Sequence, residues 1–221
     1  MWTLAIDTAG ASGGVALGDG RSVYFAELAG RSYSARLVPA ADRLLREAGI
    51  SLSAVKVLAV VCGPGSFTGI RIGLSTAKAW GETTNAKLVA VSRLALCAAS
   101  ISEHDEVRVA LDAGRGELFF GHYRAHGAVV LREALIKKDQ LLAEPESGVP
   151  LFTLERGVFE LLSPLHPSMR SLPTAIDALA FAIRSAEAGD FADPLTLDAN
   201  YLRRSDAEIF AKPGSAEAAH R

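Results

Sequence analysis

Thr3-Leu4-Ala5-Ile6-Asp7 and, further along, Val107-Arg108-Val109-Ala110-Leu111-Asp112 decide the fold, because the same order of elements follows each of them. Both are short apolar runs that stop at an aspartate and a glycine-containing turn. After the first come strand-like runs at Gly14–Leu17 and Ser22–Glu27, divided by Gly18-Asp19-Gly20, whose Asp-Gly pair signals a hairpin. The period then changes. Leu37, Val38, Ala41, Leu44, Leu45 and Ala48 follow a helical repeat, with Asp42, Arg43, Arg46 and Glu47 between them and Gly49 closing it. Pro39 belongs to the first turn of this helix, or kinks it if the helix begins nearer Ser34. Val55–Cys62 is a buried-strand pattern, and a glycine-rich turn then leads into a helix over about 68–84.

After the second aspartate, Glu117–Arg124 and Ala128–Ile136 form a hairpin across His126-Gly127. Lys137–Ala143 and Arg156–Leu162 are short helices flanking a strand at Val149–Leu154. Thr174–Ala188 is an amphipathic helix capped by Thr174, with Ile176, Leu179, Ala180 and Ile183 as its stripe. The order strand-strand-strand-helix-strand-helix is thus written twice. That duplication resembles the actin, sugar-kinase and Hsp70-like ATPases. It predicts an α/β protein of two actin-like (ASKHA, ribonuclease H-like) βββαβα lobes, the second reduced. Residues 1–104 form the first lobe and 105–189 the second. The segment 190–206 packs back on the first lobe, and 207–221 is a disordered tail. In such folds the turns carrying Asp7 and Asp112 face a phosphate cleft, which makes Asp7, Thr8, Ser12 and Asp112 candidate nucleotide residues. The plain structural alternative is that each aspartate only finishes a strand-to-turn transition.

Composition narrows the function. The chain has 221 residues, 49% of them hydrophobic, with 23 basic and 25 acidic side chains. That is too apolar for a disordered chain and too balanced for a stand-alone nucleic-acid binder. Cys62 and Cys97 cannot build a disulfide framework or a zinc ribbon. The start, Met1 to Gly10, lacks a basic region and reaches Asp7 after a short apolar run, unlike a signal peptide. No window approaches a membrane span. A soluble cytoplasmic protein is expected, with no membrane association.

Gly63-Pro64-Gly65-Ser66-Phe67-Thr68-Gly69 is neither a P-loop nor a dinucleotide fingerprint. It follows a strand and opens a helix, so its N–H groups could hold an anion, or its glycines could simply allow a tight connection. Beyond it, Gly69, Gly73, Ala77 and Gly81 recur every four residues and leave one helical face almost bare. Interior glycines cost about 1 kcal/mol each relative to alanine. Close approach of another backbone compensates, either the protein's own sheet or a second subunit.

Ile6-Asp7-Thr8, the run from Gly63 to Gly73 with Ala77-Lys78, and Val91-Ser92-Arg93-Leu94 closely resemble the bacterial TsaB (YeaZ) family. Asp112-Ala113-Gly114-Arg115-Gly116-Glu117-Leu118-Phe119 looks like its Asp-Ala-Arg-x-Gly-Glu-x-Tyr segment, with Gly114 before the arginine and Phe119 as the aromatic. Tyr201-Leu202-Arg203-Arg204 resembles its Tyr-Leu-Arg signature, without the proline often found just before. The resemblance spans about residues 3–204. It implies a non-catalytic subunit that partners the paralogous TsaD, the enzyme that transfers threonylcarbamoyl to the adenosine beside the anticodon of ANN-decoding tRNAs. It further implies TsaE, an ATPase, in the complex and TsaC as maker of the adenylate. An old glycoprotease label comes from the likeness to TsaD.

The TsaD helix carries His-Leu-Glu-Gly-His, two histidines on one helical face. Here Arg93-Leu94-Ala95-Leu96-Cys97 stands in that place, and arginine stays protonated. Cys97 reads as a small core residue. His122 and His126 lie on a strand and its turn, about 13 Å apart along an extended chain. His104, His166 and His220 fall in loops or the tail. No protease motif is present.

The leading expectation is a scaffold that binds its paralogue through the helix over 37–48 and the small-faced helix, with Leu37, Ala41, Leu44, Leu45, Gly69, Arg71, Gly73, Ala77, Lys78 and Gly81 at the interface. Alone it would self-pair as a C2 homodimer. It would need no cofactor of its own, a nucleotide being possible only at the interface, and would reach tRNA only through the complex. The alternative is an autonomous actin-like ATP-binding enzyme. Direct tRNA binding is disfavoured by charge, apart from a patch of Arg43, Arg46, Arg203 and Arg204.

Overall fold

A computed structural model describes residues 1–28, 32–145 and 147–202. Arg203, Arg204 and the expected tail at 207–221 lie outside the described residues. In the first lobe β1 (Trp2–Asp7), β2 (Gly13–Gly18) and β3 (Val23–Leu28) form an antiparallel meander. β4 (Val55–Gly63) and β5 (Lys87–Ser92) extend it in parallel, giving the order β3-β2-β1-β4-β5. The second lobe repeats the topology as β10-β9-β6-β7-β8. Its strands are β6 (Glu106–Gly114), β7 (Glu117–Arg124), β8 (Val129–Lys137), β9 (Leu151–Thr153) and β10 (Ser168–Met169). The duplicated, actin-like architecture is present, and β5 and β10 are added to the strands that the pattern predicts.

The helices are α1 (Tyr33–Glu47), α2 (Phe67–Thr84), α3 (Arg93–Ala99), α4 (Lys138–Leu142), α5 (Arg156–Leu161) and α6 (Ala175–Glu187). α1 begins earlier than its period suggests because Tyr33 is buried, its hydroxyl donating to the Gly10 carbonyl at 2.9 Å. Pro39 therefore lies inside the helix, where it has no N–H for the carbonyl one turn back.

The first sheet has two unlike faces. Ala5 pairs with Ala16 and Ala59, and Asp7 with Gly14, so one face carries only small residues at its centre. α6 lies close on that face. A Cβ at Gly18 would come within 2.9 Å of Leu179, and one at Gly14 within 3.3 Å of the Ala175 methyl. The opposite face carries Leu4, Ile6, Val15, Leu17, Leu58 and Val60, and α1 and α2 cover it.

This arrangement corrects the expected boundary of 105–189. α6 follows the second lobe in sequence, yet Ala175, Ala178, Leu179 and Ala182 join the core of the first. In exchange α3 sits on the second sheet. Its Leu94, Cys97 and Ala98 pack with Val107, Val109, Leu111, Phe119 and Tyr123. α4 and α5 close the other side of that sheet over Leu118, Phe120 and Ile136. The chain then returns along the first lobe. The Ala192 N–H donates to the Leu88 carbonyl, and the Asn200 N–H to that of Cys62, each at 2.8 Å. Among the described residues no helix is long and apolar enough to cross a membrane.

Ala5→Leu, which thrusts three extra carbons into the seam beneath α6, is expected to lower unfolding free energy by about 2–3 kcal/mol. Urea denaturation followed by circular dichroism measures this; an unchanged midpoint would mean that α6 does not lie that close.

Candidate functional site: the inter-lobe cleft and the outer helix face

A cleft of about 1250 Å³ separates the lobes. The turn Ala9–Ser12, the glycine-rich loop and Arg93 form one wall, and Asp112, Ala113, Arg115 and Glu155 the other. Ser12 and Asp112 are brought together here, while Asp7 and Thr8 lie beneath the floor. Burial pushes the Asp7 carboxyl above the usual carboxylate range, against the opposing pull of the Ala9 N–H and of Arg93. Asp112 Oδ1 accepts from the Gly114 N–H at 2.7 Å, and the Asp112 N–H donates to Glu155 Oε2 at 2.6 Å.

The glycine-rich loop is sewn to the turn after β1. The Ser66 N–H donates to the Ala9 carbonyl at 2.8 Å, and Thr8 Oγ1 donates to the Gly69 carbonyl at 2.7 Å. A Cβ at Gly65 would stand 2.2 Å from the Ala9 oxygen, and one at Gly69 2.0 Å from the Thr8 oxygen. No side chain fits at either position. Ser66 itself caps α2, accepting from the Gly69 N–H at 3.2 Å. Of the two readings of this loop, the geometry realises the tight connection. Two of its N–H groups, those of Ser66 and Gly69, already serve the protein.

The small face of α2 has the same explanation, and this corrects the expected interface. Gly69, Gly73, Ala77 and Gly81 are buried against the protein's own sheet; a Cβ at Gly73 would lie 2.5 Å from Thr8 Oγ1. Leu37, Ala41, Leu44 and Leu45 are likewise turned into the core beneath α1. Of the residues expected at an interface, Arg71 is exposed and Lys78 half-buried. The outward surface is instead Val38, Pro39 and Asp42 on α1 with Ile72, Ser75, Thr76 and Ala79 on α2. It too is small-sided. Ser75 and Thr76 donate to the Ile72 carbonyl at 3.2 and 2.8 Å, so their hydroxyls need no outside partner.

Arg71 has a task inside the chain. Its Nε donates to the Tyr201 hydroxyl at 2.8 Å, and its guanidinium lies 3.7 Å from the centre of the Phe67 ring, on which Tyr201 stacks at 5.2 Å. Phe67 was legible only as part of the glycine-rich run, and Glu133 of β8, which holds the neighbouring Asn200 side chain, was not marked at all. Tyr201 stood only in a resembling signature, and Glu133 is one acid in the run of β8.

Cys97 is fully buried, which pushes its thiol up to about 12. His122 Nε2 faces Glu106 Oε1 at 2.7 Å, and His126 sits in the hairpin turn at φ 52°. His104 is exposed against Phe152, and His166 is exposed in a left-handed turn. His220 lies outside the described residues. Among the described residues no three His, Cys, Asp or Glu side chains converge as a metal set would.

The model of a family described as TsaD, tRNA N6-adenosine threonylcarbamoyltransferase, matches residues 25–189. The tRNA threonylcarbamoyladenosine biosynthesis protein TsaB of Escherichia coli is 35% identical over 128 residues, 56% of this chain and 55% of that protein. Its Haemophilus influenzae namesake is 34% identical over 121 residues, 53% of this chain and 51% of that protein. The chain thus spans about half the length of these curated relatives. YeaZ from Pseudomonas aeruginosa superimposes with a TM-score of 0.78 at 26% identity, covering 91% of this chain and 99% of that one. The chain belongs to the TsaB (YeaZ) family. In this TsaB-family chain α3 begins with Arg93, half-buried in the cleft wall.

A carboxyl whose folded pKa is raised binds more protons folded than unfolded. Stability therefore falls as pH rises from the ordinary carboxylate value, about 4, through the raised one. Asp7→Asn is expected to raise the melting temperature at pH 7, with the gain shrinking towards pH 4. A variant less stable than the parent at pH 7 would show that the ionised carboxylate is needed.

Proposed function

We propose that this chain is a non-catalytic scaffold and activating subunit of the assembly that installs threonylcarbamoyl on the adenosine next to the anticodon of ANN-decoding tRNAs. Its partner is the catalytic paralogue TsaD, bound through the outer faces of α1 and α2. TsaE joins the complex, TsaC supplies it with the adenylate, and the setting is the cytoplasm. tRNA is reached through the complex, and a nucleotide is held at the interface if anywhere. Alone, the chain pairs with itself across the same surface.

One observation carries the non-catalytic part. Arg93 and Cys97 occupy the positions where the resemblance places two metal-binding histidines. Guanidinium keeps its proton at any physiological pH, and the buried Cys97 thiol keeps its own as well. Arg93 therefore offers no lone pair, and Cys97 by itself does not make the pair of ligands that the two histidines would.

The outer helix surface supports the pairing on physical grounds. Ser75, Thr76 and Ala79 let a second helix approach closely, and internally bonded hydroxyls reduce the desolvation cost of covering them. Val38, 51% exposed, and Ile72 add the apolar contact that drives association. The competing reading, an ATP-handling enzyme, rests on Ser12 and Asp112 in the cleft. Against it, the Ser66 and Gly69 N–H groups of the glycine-rich loop are engaged by the Ala9 carbonyl and the Ser66 hydroxyl.

Ala79→Arg, on the exposed side of α2, is expected to weaken binding to purified TsaD on the order of a hundredfold, as loss of a central contact does. It should leave unfolding free energy within about 0.5 kcal/mol of the parent. Light scattering coupled to size exclusion reads both the complex and the homodimer. Undiminished assembly of A79R would remove this face from the interface. Calorimetry with Mg-ATP on the isolated chain is expected to register no binding, and micromolar affinity would favour the enzyme reading.

A further inference from the structure

Glu133, half-buried on β8, joins three separate parts of the molecule. Its Oε1 accepts from Ser92 Oγ at 2.5 Å and from the Tyr123 hydroxyl, and its Oε2 accepts from Asn200 Nδ2 at 2.6 Å. Ser92 ends β5 and caps α3, accepting from the Ala95 N–H at 3.4 Å. Hydrogen bonds to an ionised carboxylate, partly withdrawn from water, are roughly twice as strong as neutral ones.

Residues 199–202 then cross between the lobes as a strap. The Asn200 N–H donates to the Cys62 carbonyl at 2.8 Å, and its own carbonyl lies so near the glycine-rich loop that a Cβ at Gly63 would come within 3.1 Å. Tyr201 covers Phe67 and receives the Arg71 Nε–H. Leu202 turns back to the core that α3 shares with the second sheet. Phe67 and Arg71 stand four residues apart on one side of the first turn of α2, so Tyr201 clamps that turn from outside. A helix start has N–H groups without intrahelical partners and frays unless held.

We infer that Glu133, a positioning residue on the second lobe, holds the strap and thereby sets the conformation of the first turn of α2. The second lobe thus controls the helix that carries the partner surface. The link to partner binding rests on the function proposed above; the link from Glu133 to α2 does not.

Hydrogen exchange on the isolated 221-residue chain tests the link. In E133Q, Ser92 and Tyr123 still find an acceptor, but an amide N–H₂ now opposes Asn200 Nδ2. Amides 70–74 are expected to exchange on the order of tenfold faster, as loss of a charged hydrogen bond implies, while those of β1 and β4 stay unchanged. E133Q/N200D exchanges donor and acceptor and restores the parent rate. Tyr201→Ala reproduces the acceleration, and adding E133Q to it brings no more. Uniform acceleration through the protein, unaltered exchange at 70–74, or failure of the reciprocal pair to restore it overturns the inference. If E133Q does not fold, Asn200→Ala combined with Tyr201→Ala gives the same cycle. Titration with TsaD completes the test: a tenfold loss in E133Q, recovered in E133Q/N200D, extends the link to the partner surface. Altered exchange in a chain that never binds TsaD sustains the strap and overturns the partner reading instead.

Discussion

Contact between the turn after β1 and the start of α2 governs the rest of the molecule. Thr8 and Ala9 lie so near Gly65 and Gly69 that a single methyl on either glycine would overlap a carbonyl oxygen. That closeness explains the glycines, the Thr8–Gly69 and Ser66–Ala9 hydrogen bonds, and the inward direction of the small-sided helix face. It also places the loop residues 65–69 along one wall of the cleft. One steric constraint therefore fixes both the lie of α2 and the position of that wall.

Much of the fold was legible because it depends on periodicity. The helical repeat of α2 and α6, the Asp-Gly hairpin between β2 and β3, and the aspartate-ended strands β1 and β6 are local patterns. Each appears where its pattern placed it, within a residue or two. The start of α1 was legible only as a choice between a first turn at Pro39 and one near Ser34; Tyr33 reaching the distant Gly10 carbonyl decides for the earlier start. The destination of α6 was not legible. Its stripe shows that it packs, and only the small residues shared by β1, β2 and β4 show on what.

The site was less legible, for a related reason. Gly69, Gly73 and Ala77 signal that something comes near, and sequence cannot distinguish a neighbouring sheet from a neighbouring subunit. Here the sheet claims them. The outer side of α2 carries Ser75, Thr76 and Ala79, residues with no periodic or motif signal. Glu133 was invisible too: its three donors come from β5, β7 and the returning chain, and no spacing rule links them.

The exchange of α3 and α6 between the lobes bears on how such a protein can act. Two lobes joined only by a linker would open and close about it, as nucleotide-driven machines require. Here the first lobe takes a helix from beyond the second, and the second takes one that follows β5. Residues 199–202 then bind both at Cys62, Phe67 and Glu133. A hinge motion would have to break packed apolar surface and charge-assisted hydrogen bonds at once. Relative movement of the lobes would therefore require α3 and α6 to repack together, because close-packed interiors do not deform continuously.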